Sequence, residues 1–443
     1  MTTQCLSEVV PQIELFQVKN RPVVVSRTAT QVSSNGGFLA LGKIDRRVEL
    51  IRAVAACFVD AERNRAVRDP DRVIHGLEDL LRQRVFQMAL GYEDGLDADT
   101  LRLDPVLQVS VGKDTALGSQ PMMSRLENWV STKDLYRGWH EVVRVYARHF
   151  HVAGEPVVLH VDSTEDRCSG QLALFNGYYQ DHCFHPLVVT EERTSFPLAL
   201  IFRNGNVSSA HRVRSVLKRV LRWLREEIPG VQIVVKGDCA FGIADLVNWF
   251  EEIQVDYVLG LSGNAVVEKA VAHLAQEVQV EHQETKTPLQ RFCSFSYRAQ
   301  TWKNSHSVIA KVEHTGKGLN QRFVVCSMQA EDPEKLYETY HTRAKGIEAV
   351  IEQMKNGLRM DKTACHNKLP NQMRYLESAL ALILHLKIID IVEKDLPHRP
   401  TVQSVIQKIL KIGAIVTRSV RRFLIELSSV DPNTLWLMRI LAT

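Results

Sequence analysis

The sequence predicts an α/β fold organised around a mixed β-sheet, and three observations support this. Two short apolar runs, PVVLHVD and VQIVVKGD, each end in an aspartate, and such runs are typical of buried strands. PLVVTEE and PLALIFR, separated by the turn-like RTSF, predict a β-hairpin between the two runs. A basic helical pattern from about Ser209 to Glu227 precedes the second run. A helical pattern, IADLVNWFEEI, and a strand pattern, DYVLGL, follow it.

The order of these elements predicts a ribonuclease-H-like catalytic core, a mixed five-stranded sheet with helices. In that fold the first and fourth strands are parallel neighbours at the centre of the sheet. Their carboxyl ends therefore meet at the edge where ligands of open α/β sheets bind. We expect Asp162 and Asp238, which end these two strands, to lie close together at that edge.

Two neighbouring carboxylates favour a bound cation. Their mutual repulsion raises their pKa values unless a positive charge lies between them. Mg²⁺ suits such a site because it takes carboxylate oxygens and keeps positions for phosphate and water. Two ions roughly 4 Å apart support phosphoryl transfer, and a third carboxylate would hold the second ion. The alternative is structural, because aspartate at the end of a strand also suits a turn.

The rest of the chain is predicted to form further regions before, within and after this core. Residues 1–150 are predicted to form a helical N-terminal region, and residues 151–262 the first part of the core. Alternating segments such as RFCSFSYRAQ predict a β-rich insertion over residues 263–330. The second part of the core, with the third acidic residue, occupies residues 331–393, and a helical, basic C-terminal region occupies residues 394–443.

Overall composition limits the class of protein. Hydrophobic content of 45% and charged content of 24% are ordinary for a soluble globular protein, and a net charge of +4 does not by itself indicate nucleic-acid binding. The most apolar stretch, ALALILHLKIIDIV, is interrupted by His385 and Lys387, so we expect a buried helix and no membrane span. Eight cysteines without a CxxC pair predict reduced thiols in a cytoplasmic protein.

The third acid is expected on the helical stretch YHTRAKGIEAVIEQMK, which begins at Tyr340 and follows the predicted insertion. Here the sequence resembles DDE transposases of bacterial insertion sequences, in the group with a Tyr-Arg-Glu-Lys signature. That signature is Y, two residues, R, three residues, E, six residues, K. The resemblance covers most of the chain, because DSTED, FNGYYQDHCFHPLVV, FRNGNVSSAH, KGDCAFG and DKTACHNKLPNQ occur in the order of the family.

The resemblance implies a function and a set of site residues. Asp162, Asp238 and Glu348 would hold Mg²⁺, two ions per site, which Mn²⁺ can replace. The protein would bind the terminal inverted repeats of its insertion sequence, cleave the ends and join their 3′-hydroxyls to target DNA. It would work as a homodimer on DNA, in the bacterial cytoplasm at the nucleoid. Further residues that would contact DNA are Tyr340, Arg343 and Lys355.

One departure from the signature concerns the glutamate. Three residues separate Arg343 from Ile347, which stands where the signature requires glutamate, so Glu348 comes one place late. Six residues separate Glu348 from Lys355, as the signature requires. Glu352 is the alternative candidate for the third carboxylate, because it lies on nearly the same helix face. The spacing to Lys355 favours Glu348. The extra residue rotates Arg343 by about 100° relative to the glutamate unless the helix bulges between them.

Further DNA contacts are predicted outside the signature. Gln120 and Arg125 in SQPMMSRLENWV fit a helix-turn-helix, although a plain surface helix has the same composition; similarity to the family's N-terminal region favours DNA binding. Trp302 is a candidate to stack on a flipped base, or an ordinary core tryptophan. The basic helix fits a phosphate track, or alternatively a solvated amphipathic helix, and both can hold because they use opposite faces. Its cations include Arg212, Lys218 and Arg219.

Two other functions fit the same residues. A nuclease with this fold and these ions would hydrolyse DNA without joining it. A former transposase retained as a non-catalytic DNA-binding protein would have no need of all three acids, and their presence argues against it.

Overall fold

The computed structural model describes residues 13–25, 30–66, 74–167, 172–328, 331–363 and 365–443.

The part before the core contains three short strands and a group of helices: β1 Ile13–Val18, β2 Arg21–Val25, β3 Val32–Ser33, α1 Phe38–Val48, α2 Leu50–Ala56, α3 Val59–Ala66, α4 Leu77–Ala89, α5 Asp97–Leu101, α6 Pro105–Val111, α7 Gln120–Trp129 and α8 Thr132–His149.

The middle of the chain alternates strands and helices: β4 Val157–Ser163, β5 Asp166–Arg167, β6 Leu174–Asn176, β7 Asp181–Phe184, β8 Leu187–Glu191, β9 Pro197–Ile201, α9 Val213–Glu227, β10 Ile233–Gly237, α10 Ala244–Glu252 and β11 Asp256–Leu261. The predicted insertion follows: α11 Ala265–Ala270, α12 Ala272–Thr285, β12 Leu289–Tyr297, β13 His306–Thr315 and β14 Gly318–Cys326.

The last part is mainly helical: α13 Pro333–Glu352, a π-helical turn Gln353–Gly357, α14 Lys368–Val392, a 3₁₀ turn Glu393–Asp395, α15 Val402–Val405, a second π-helical turn Ile406–Leu410, β15 Ala414–Arg418, β16 Phe423–Leu427 and α16 Thr434–Ala442.

A mixed eight-stranded sheet forms the centre of the molecule, in the order β12-β13-β14-β11-β10-β4-β8-β9. β4 and β10 are parallel neighbours, with Val157 opposite Ile233 and Val161 opposite Gly237, as the sequence predicts. β11 is parallel to β10, and β8 is antiparallel to β4. All five residues of β10 are buried, which explains why it begins with three consecutive apolar residues rather than an alternating pattern.

The insertion extends this sheet, which therefore has eight strands where the sequence predicts five. β14 pairs antiparallel with β11, with Val258 opposite Cys326, and β13 and β12 follow. Without β14, the outer edge of β11 would expose a row of unpaired backbone groups. The pairing removes that edge, and it makes the insertion continuous with the core.

The prediction of wholly helical terminal regions is wrong in part. β15 and β16 form a hairpin, with Ala414 opposite Leu427, and β15 also pairs with β3. The segments AIVTR and FLIEL are rich in the β-branched and aromatic residues that strands favour, and they are too short to show a clear period. β1 and β2 form a second hairpin, near the N-terminus.

α14 links the N-terminal helices to the core. It contacts α4, α7 and α8 on one side and β9 on the other, so one continuous apolar core covers both regions. The stretch ALALILHLKIIDIV lies within α14, and most of it is buried, as predicted. His385 Nε2 donates to the carbonyl of Ala89 at 2.7 Å, and burial lowers the pKa of His385 to about 4. Among the described helices, none combines the length and the apolar character of a bilayer span.

A buried charge cluster joins α4, α7 and α14. The guanidinium of Arg84 is fully buried, with its Nε 3.4 Å from Glu127 Oε1 and 3.6 Å from Glu377 Oε2. Its Nη2 also donates to the carbonyl of Glu93 at 2.9 Å. Glu377 is buried as well, and burial, with the charge of Glu127, raises its pKa well above the ordinary range. Arg84 is therefore the central cation of this interface between helices.

Arg84→Met is expected to lower the free energy of unfolding by about 3 kcal/mol, because it removes a fully buried guanidinium from the ion cluster and leaves Glu127 with Arg374, at 3.5 Å, as its cation. Urea denaturation followed by circular dichroism measures the change. Glu377→Gln is the matched control and should cost much less, since the folded protein already favours the uncharged form of Glu377. Arg63→Met, at an exposed ion pair with Asp60, should change stability by about 0.5 kcal/mol or less. A loss at Arg84 no larger than the loss at Arg63 would contradict the role given to Arg84.

Candidate active site

The three predicted carboxylates lie along one cavity of about 870 Å³. Asp162 is the second-to-last residue of β4, Asp238 directly follows β10, and Glu348 is on α13. Because Val161 lies opposite Gly237 in the parallel pair, Asp162 and Asp238 follow at the same level of the sheet. The sequence predicted this neighbourhood of the two aspartates, and the structure confirms it. The chemical role of the three residues stays a prediction.

The backbone holds the two aspartates in defined positions. Asp162 Oδ1 accepts a hydrogen bond from the amide of Ser163 at 2.7 Å, and Asp238 Oδ1 accepts one from the amide of Ala240 at 2.9 Å. The loop after Asp238 packs directly on β11. A Cβ atom at Gly260 would lie only 2.6 Å from the amide nitrogen of Cys239, so a larger residue at position 260 would displace this loop.

The donor chemistry of the cavity fits a hard divalent cation, because three carboxylates supply the oxygen ligands that Mg²⁺ takes. Their arrangement is open. Within the described ranges, no three His, Cys, Asp or Glu side chains are close enough together to form a metal cluster. The carboxylates therefore surround the cavity, and closing them around an ion requires side-chain movement.

The helix α13 is regular from Pro333 to Glu352, so no bulge absorbs the extra residue between Arg343 and Glu348. The irregular turn comes later, at Gln353–Gly357, and it contains Lys355. Such π-helical turns are frequent at functional sites. Glu348, Glu352 and Lys355 all lie along the cavity, so position alone does not separate the two glutamates. The side chain of Arg343 lies outside the described residues.

Tyr340 and Lys355 occupy different places. Tyr340 packs beside Tyr337, and its hydroxyl lies against Gly260, where a Cβ atom would be 2.6 Å away. Tyr340 is not one of the residues along the cavity; its hydroxyl lies beside Gly260 of β11, the strand on which the loop after Asp238 packs. Lys355 does face the cavity. Burial lowers its pKa, and the nearby carboxylate of Glu165 acts in the opposite direction.

The predicted stacking role of Trp302 is wrong for this structure. Trp302 is only 3% exposed, and its ring lies 5.3 Å from the ring of Tyr297 and 5.2 Å from that of His306. It is a core residue between β12 and β13 and has no open ring face. The alternative that the sequence left open, an ordinary core tryptophan, is correct.

The basic helix α9 has the two faces that its sequence predicts. The apolar face, including Val213, Val216 and Leu217, is buried. The cations are exposed on the opposite side: Arg212, Arg214, Lys218, Arg219, Arg222 and Arg225. Arg219 lies 6.0 Å from the ring centre of Tyr136, and Arg214 pairs with Asp245 at 2.6 Å. Residues 205–209 line the cavity and lead into this helix.

The helix α7 keeps the polar surface that the sequence predicts. Arg125 is exposed, and Gln120, at the first position of the helix, is half-buried. The amide of Gln120 donates to Asp99 Oδ1 at 2.9 Å, which fixes the start of α7 against α5. α7 also packs against α3, α4 and α14. This position agrees with either of the two interpretations of the segment, so its contact with DNA stays a prediction.

Arg203 is a residue of the site that the sequence did not single out. It is buried, and burial lowers its pKa to about 10. Its guanidinium donates to Ser163 Oγ at 2.7 Å and to the carbonyls of His185, Ser209 and His211. Arg203 therefore ties the end of β4 to the loops beside the cavity. An isolated arginine in FRNGNVSSAH gives no signal of this role.

A second group missed by the sequence connects α13 to the sheet. Lys236, buried on β10, donates to Glu192 at 2.7 and 3.0 Å and to the carbonyl of Thr339 on α13 at 3.2 Å. Burial alone would raise the pKa of Glu192, but His160 and Lys236 lower it to about 2. His160 lies beneath Gly346, where a Cβ atom would be 3.3 Å from its ring. The helix with Glu348 is thus held over the strands with both aspartates.

The sequence was compared with known families and structures. The model of a family described as transposase DDE domain group 1 matches residues 15–443. No curated protein matches the sequence. Among solved structures, the chain is similar to the cryo-EM structure of a piggyBac transposase synaptic complex with hairpin DNA. That match has a TM-score of 0.45 and 12% identity, over 84% of this chain and 78% of the other.

Lys236→Met is expected to loosen α13, because it removes a charge-assisted contact to Glu192 and the bond to Thr339. Such bonds contribute about 1.5–3 kcal/mol, so amides of α13 should exchange with solvent at least about tenfold faster. Hydrogen exchange followed by mass spectrometry measures this, with Lys218→Met on the exposed face of α9 as the control. Unchanged exchange in α13 would show that other contacts hold the helix.

Proposed function

Because the chain belongs to the transposase DDE domain group 1 family, we propose that it is a DNA transposase that cleaves the ends of its own mobile element and joins them to target DNA. The observation that carries this proposal is that Asp162, Asp238 and Glu348 lie along one cavity at the carboxyl ends of β4 and β10. Three carboxylates from two strands and a later helix are the donor set that metal-dependent phosphoryl transfer requires.

In this proposal the five strands β9-β8-β4-β10-β11 form a ribonuclease-H-like core, and the mobile element is a bacterial insertion sequence of the Tyr-Arg-Glu-Lys group. Asp162, Asp238 and Glu348 hold two Mg²⁺ ions, which Mn²⁺ can replace. When bound, the ions activate the attacking oxygen and stabilise the leaving oxygen. A backbone amide holds one oxygen of each aspartate beside the cavity, and the other oxygen of each is the one that would turn towards the ions.

The cations around the cavity bind phosphates of the DNA. Lys355 carries its charge at the cavity, where a phosphate of the cleaved end binds. Tyr340 and Arg343 contact phosphates of the same strand near the cleaved end. Phosphate contacts of this kind fix the position of the strand without reading its bases. Longer-range contacts come from exposed side chains on α7 and α9: Gln120, Arg125, Arg212, Lys218 and Arg219.

The reaction has two steps at one site. Water first hydrolyses a phosphodiester bond at each end of the element and leaves a 3′-hydroxyl. That hydroxyl then attacks a phosphorus atom of the target and displaces a 3′-oxygen of the target strand. Neither step needs a covalent bond to the protein. The two ends are processed together by a homodimer assembled on the terminal inverted repeats, in the bacterial cytoplasm.

Asp162→Asn, Asp238→Asn and Glu348→Gln are each expected to lower cleavage of the inverted-repeat ends in Mg²⁺ by at least about a hundredfold, because metal stabilisation contributes several kcal/mol. Binding of the ends, measured by fluorescence anisotropy, should change little. Glu352→Gln is the matched control, since it lies along the same cavity on the same helix.

The products of the same reaction separate the alternatives. A wild-type protein that cleaves the ends but never joins them to a target plasmid is a nuclease, and one that binds ends without cleaving them is a DNA-binding protein. A larger defect in Glu352→Gln than in Glu348→Gln would assign the third carboxylate to Glu352.

A further inference from the structure

A buried carboxylate lies beside the cavity and has no part in the reaction proposed above. Asp166, on β5, comes shortly after Asp162 in the chain and is fully buried. Its Oδ2 accepts hydrogen bonds at 2.6 Å from Thr363 Oγ1 and from Tyr375 Oη. Its Oδ1 has no hydrogen-bond partner within the part of the chain that the structure describes. A buried acceptor that is left unpaired destabilises the folded state, so stability alone does not explain this carboxylate.

The hydrogen bonds to Asp166 lead to the turn that carries Lys355. One hydroxyl belongs to α14, and the other, that of Thr363, belongs to the segment after the π-helical turn. The backbone holds this segment to the turn. The amide of Arg359 donates to the carbonyl of Lys355 at 3.1 Å, and the amide of Lys362 donates to the carbonyl of Arg359 at 3.0 Å. Asp166 therefore connects β5 to the turn with Lys355.

The charge of the same carboxylate acts on Lys355. The ammonium group of Lys355 is half-buried at the cavity, and burial lowers its pKa. Three carboxylates act in the opposite direction, those of Glu165, Asp361 and Asp166. Glu165 is also paired with Arg167 at 3.1 Å, and Glu165 and Asp361 are both partly open to solvent. Asp166 is the one of the three that is fully enclosed, where water does not screen its charge.

Asp166 carries this charge at neutral pH. Burial raises the pKa of Asp166 to about 6, and the charge of Asp361 acts in the same direction. The hydrogen bonds from Thr363 and Tyr375 and the charge of Lys355 lower it. A carboxyl group with this pKa is mostly ionised at about pH 7. The half-buried ammonium of Lys355 therefore has a fixed negative charge nearby.

We propose that Asp166 is a positioning residue, whose buried carboxylate holds Lys355 charged and in place to bind a DNA phosphate at the cavity. This inference rests on the proposed function, which gives Lys355 that phosphate. Asp166 is not one of the residues along the cavity, so it contacts neither the DNA nor the metal and acts through Lys355. A lysine side chain loses rotational freedom when it binds, and a fixed counter-charge reduces that loss.

Two substitutions separate the charge of Asp166 from its hydrogen bonds. Asp166→Asn keeps an oxygen that accepts from both hydroxyls and removes the negative charge, whereas Thr363→Val keeps the charge and removes one hydroxyl. Each is made in the wild-type chain and in Lys355→Met, and cleavage of duplex oligonucleotides that carry the inverted repeats is measured in Mg²⁺. Asp166→Asn should lower the cleavage rate about ten- to hundredfold and Thr363→Val about three- to tenfold. Neither should add to the defect of Lys355→Met.

The salt dependence of binding gives a readout that a purely structural role would not change. Fluorescence anisotropy of the same oligonucleotides without Mg²⁺ gives the slope of the logarithm of the binding constant against that of the salt concentration. Losing one phosphate contact reduces this slope by about 0.9. Asp166→Asn and Lys355→Met should each reduce it by that amount, and the double variant by no more. A smaller folded fraction lowers the amplitude of binding and leaves the slope unchanged.

Asp114→Asn is the matched control, because it makes the same substitution at an exposed position away from the cavity, and it should keep the wild-type rate and slope. An Asp166→Asn variant with the wild-type rate and slope would overturn the proposal. A defect that multiplies with that of Lys355→Met would overturn it too, because Asp166 would then act on another group. Should Asp166→Asn fail to fold, Thr363→Val decides through its dependence on Lys355. A wild-type protein that shows the slope changes but cleaves no DNA would keep the positioning role and refute the transposase.

Discussion

The parallel pairing of β4 with β10 is the constraint on which the rest of the structure depends. It places Asp162 and Asp238 at the same level of one sheet edge. Both strands are largely buried, and their sequences are apolar up to His160 and Lys236, which lie opposite each other inside the sheet before the aspartates. The cavity and the loops around it follow from the edge at which these two strands stop.

The third carboxylate depends on a different kind of contact. α13 crosses the sheet and is held there by polar groups: Lys236 reaches from β10 to Glu192 and to the carbonyl of Thr339. A charged group inside the sheet is stable only because its partner is close. Gly346 brings the helix within contact of His160. The same strands that carry the aspartates therefore set the position of Glu348.

Prediction from the sequence succeeds where burial leaves a local pattern. The neighbourhood of Asp162 and Asp238 follows from two apolar runs, and the amphipathic faces of α9 follow from its period. Prediction fails where the outcome depends on distant residues. Nothing local shows that β14 covers the edge of β11, that Lys236 meets Glu192, or that Trp302 is enclosed. The π-helical turn that contains Lys355 is likewise a backbone feature that no residue pattern in the sequence predicts.

The central claim is that Asp162, Asp238 and Glu348 together bind divalent metal. Anomalous scattering from Mn²⁺ in crystals of the protein bound to its DNA end tests this most directly, because it locates the ions without relying on activity. The account predicts two Mn²⁺ peaks in the cavity, roughly 4 Å apart and coordinated by these three carboxylates. Mn²⁺ bound elsewhere, or no Mn²⁺ in contact with Asp162 and Asp238, would contradict it.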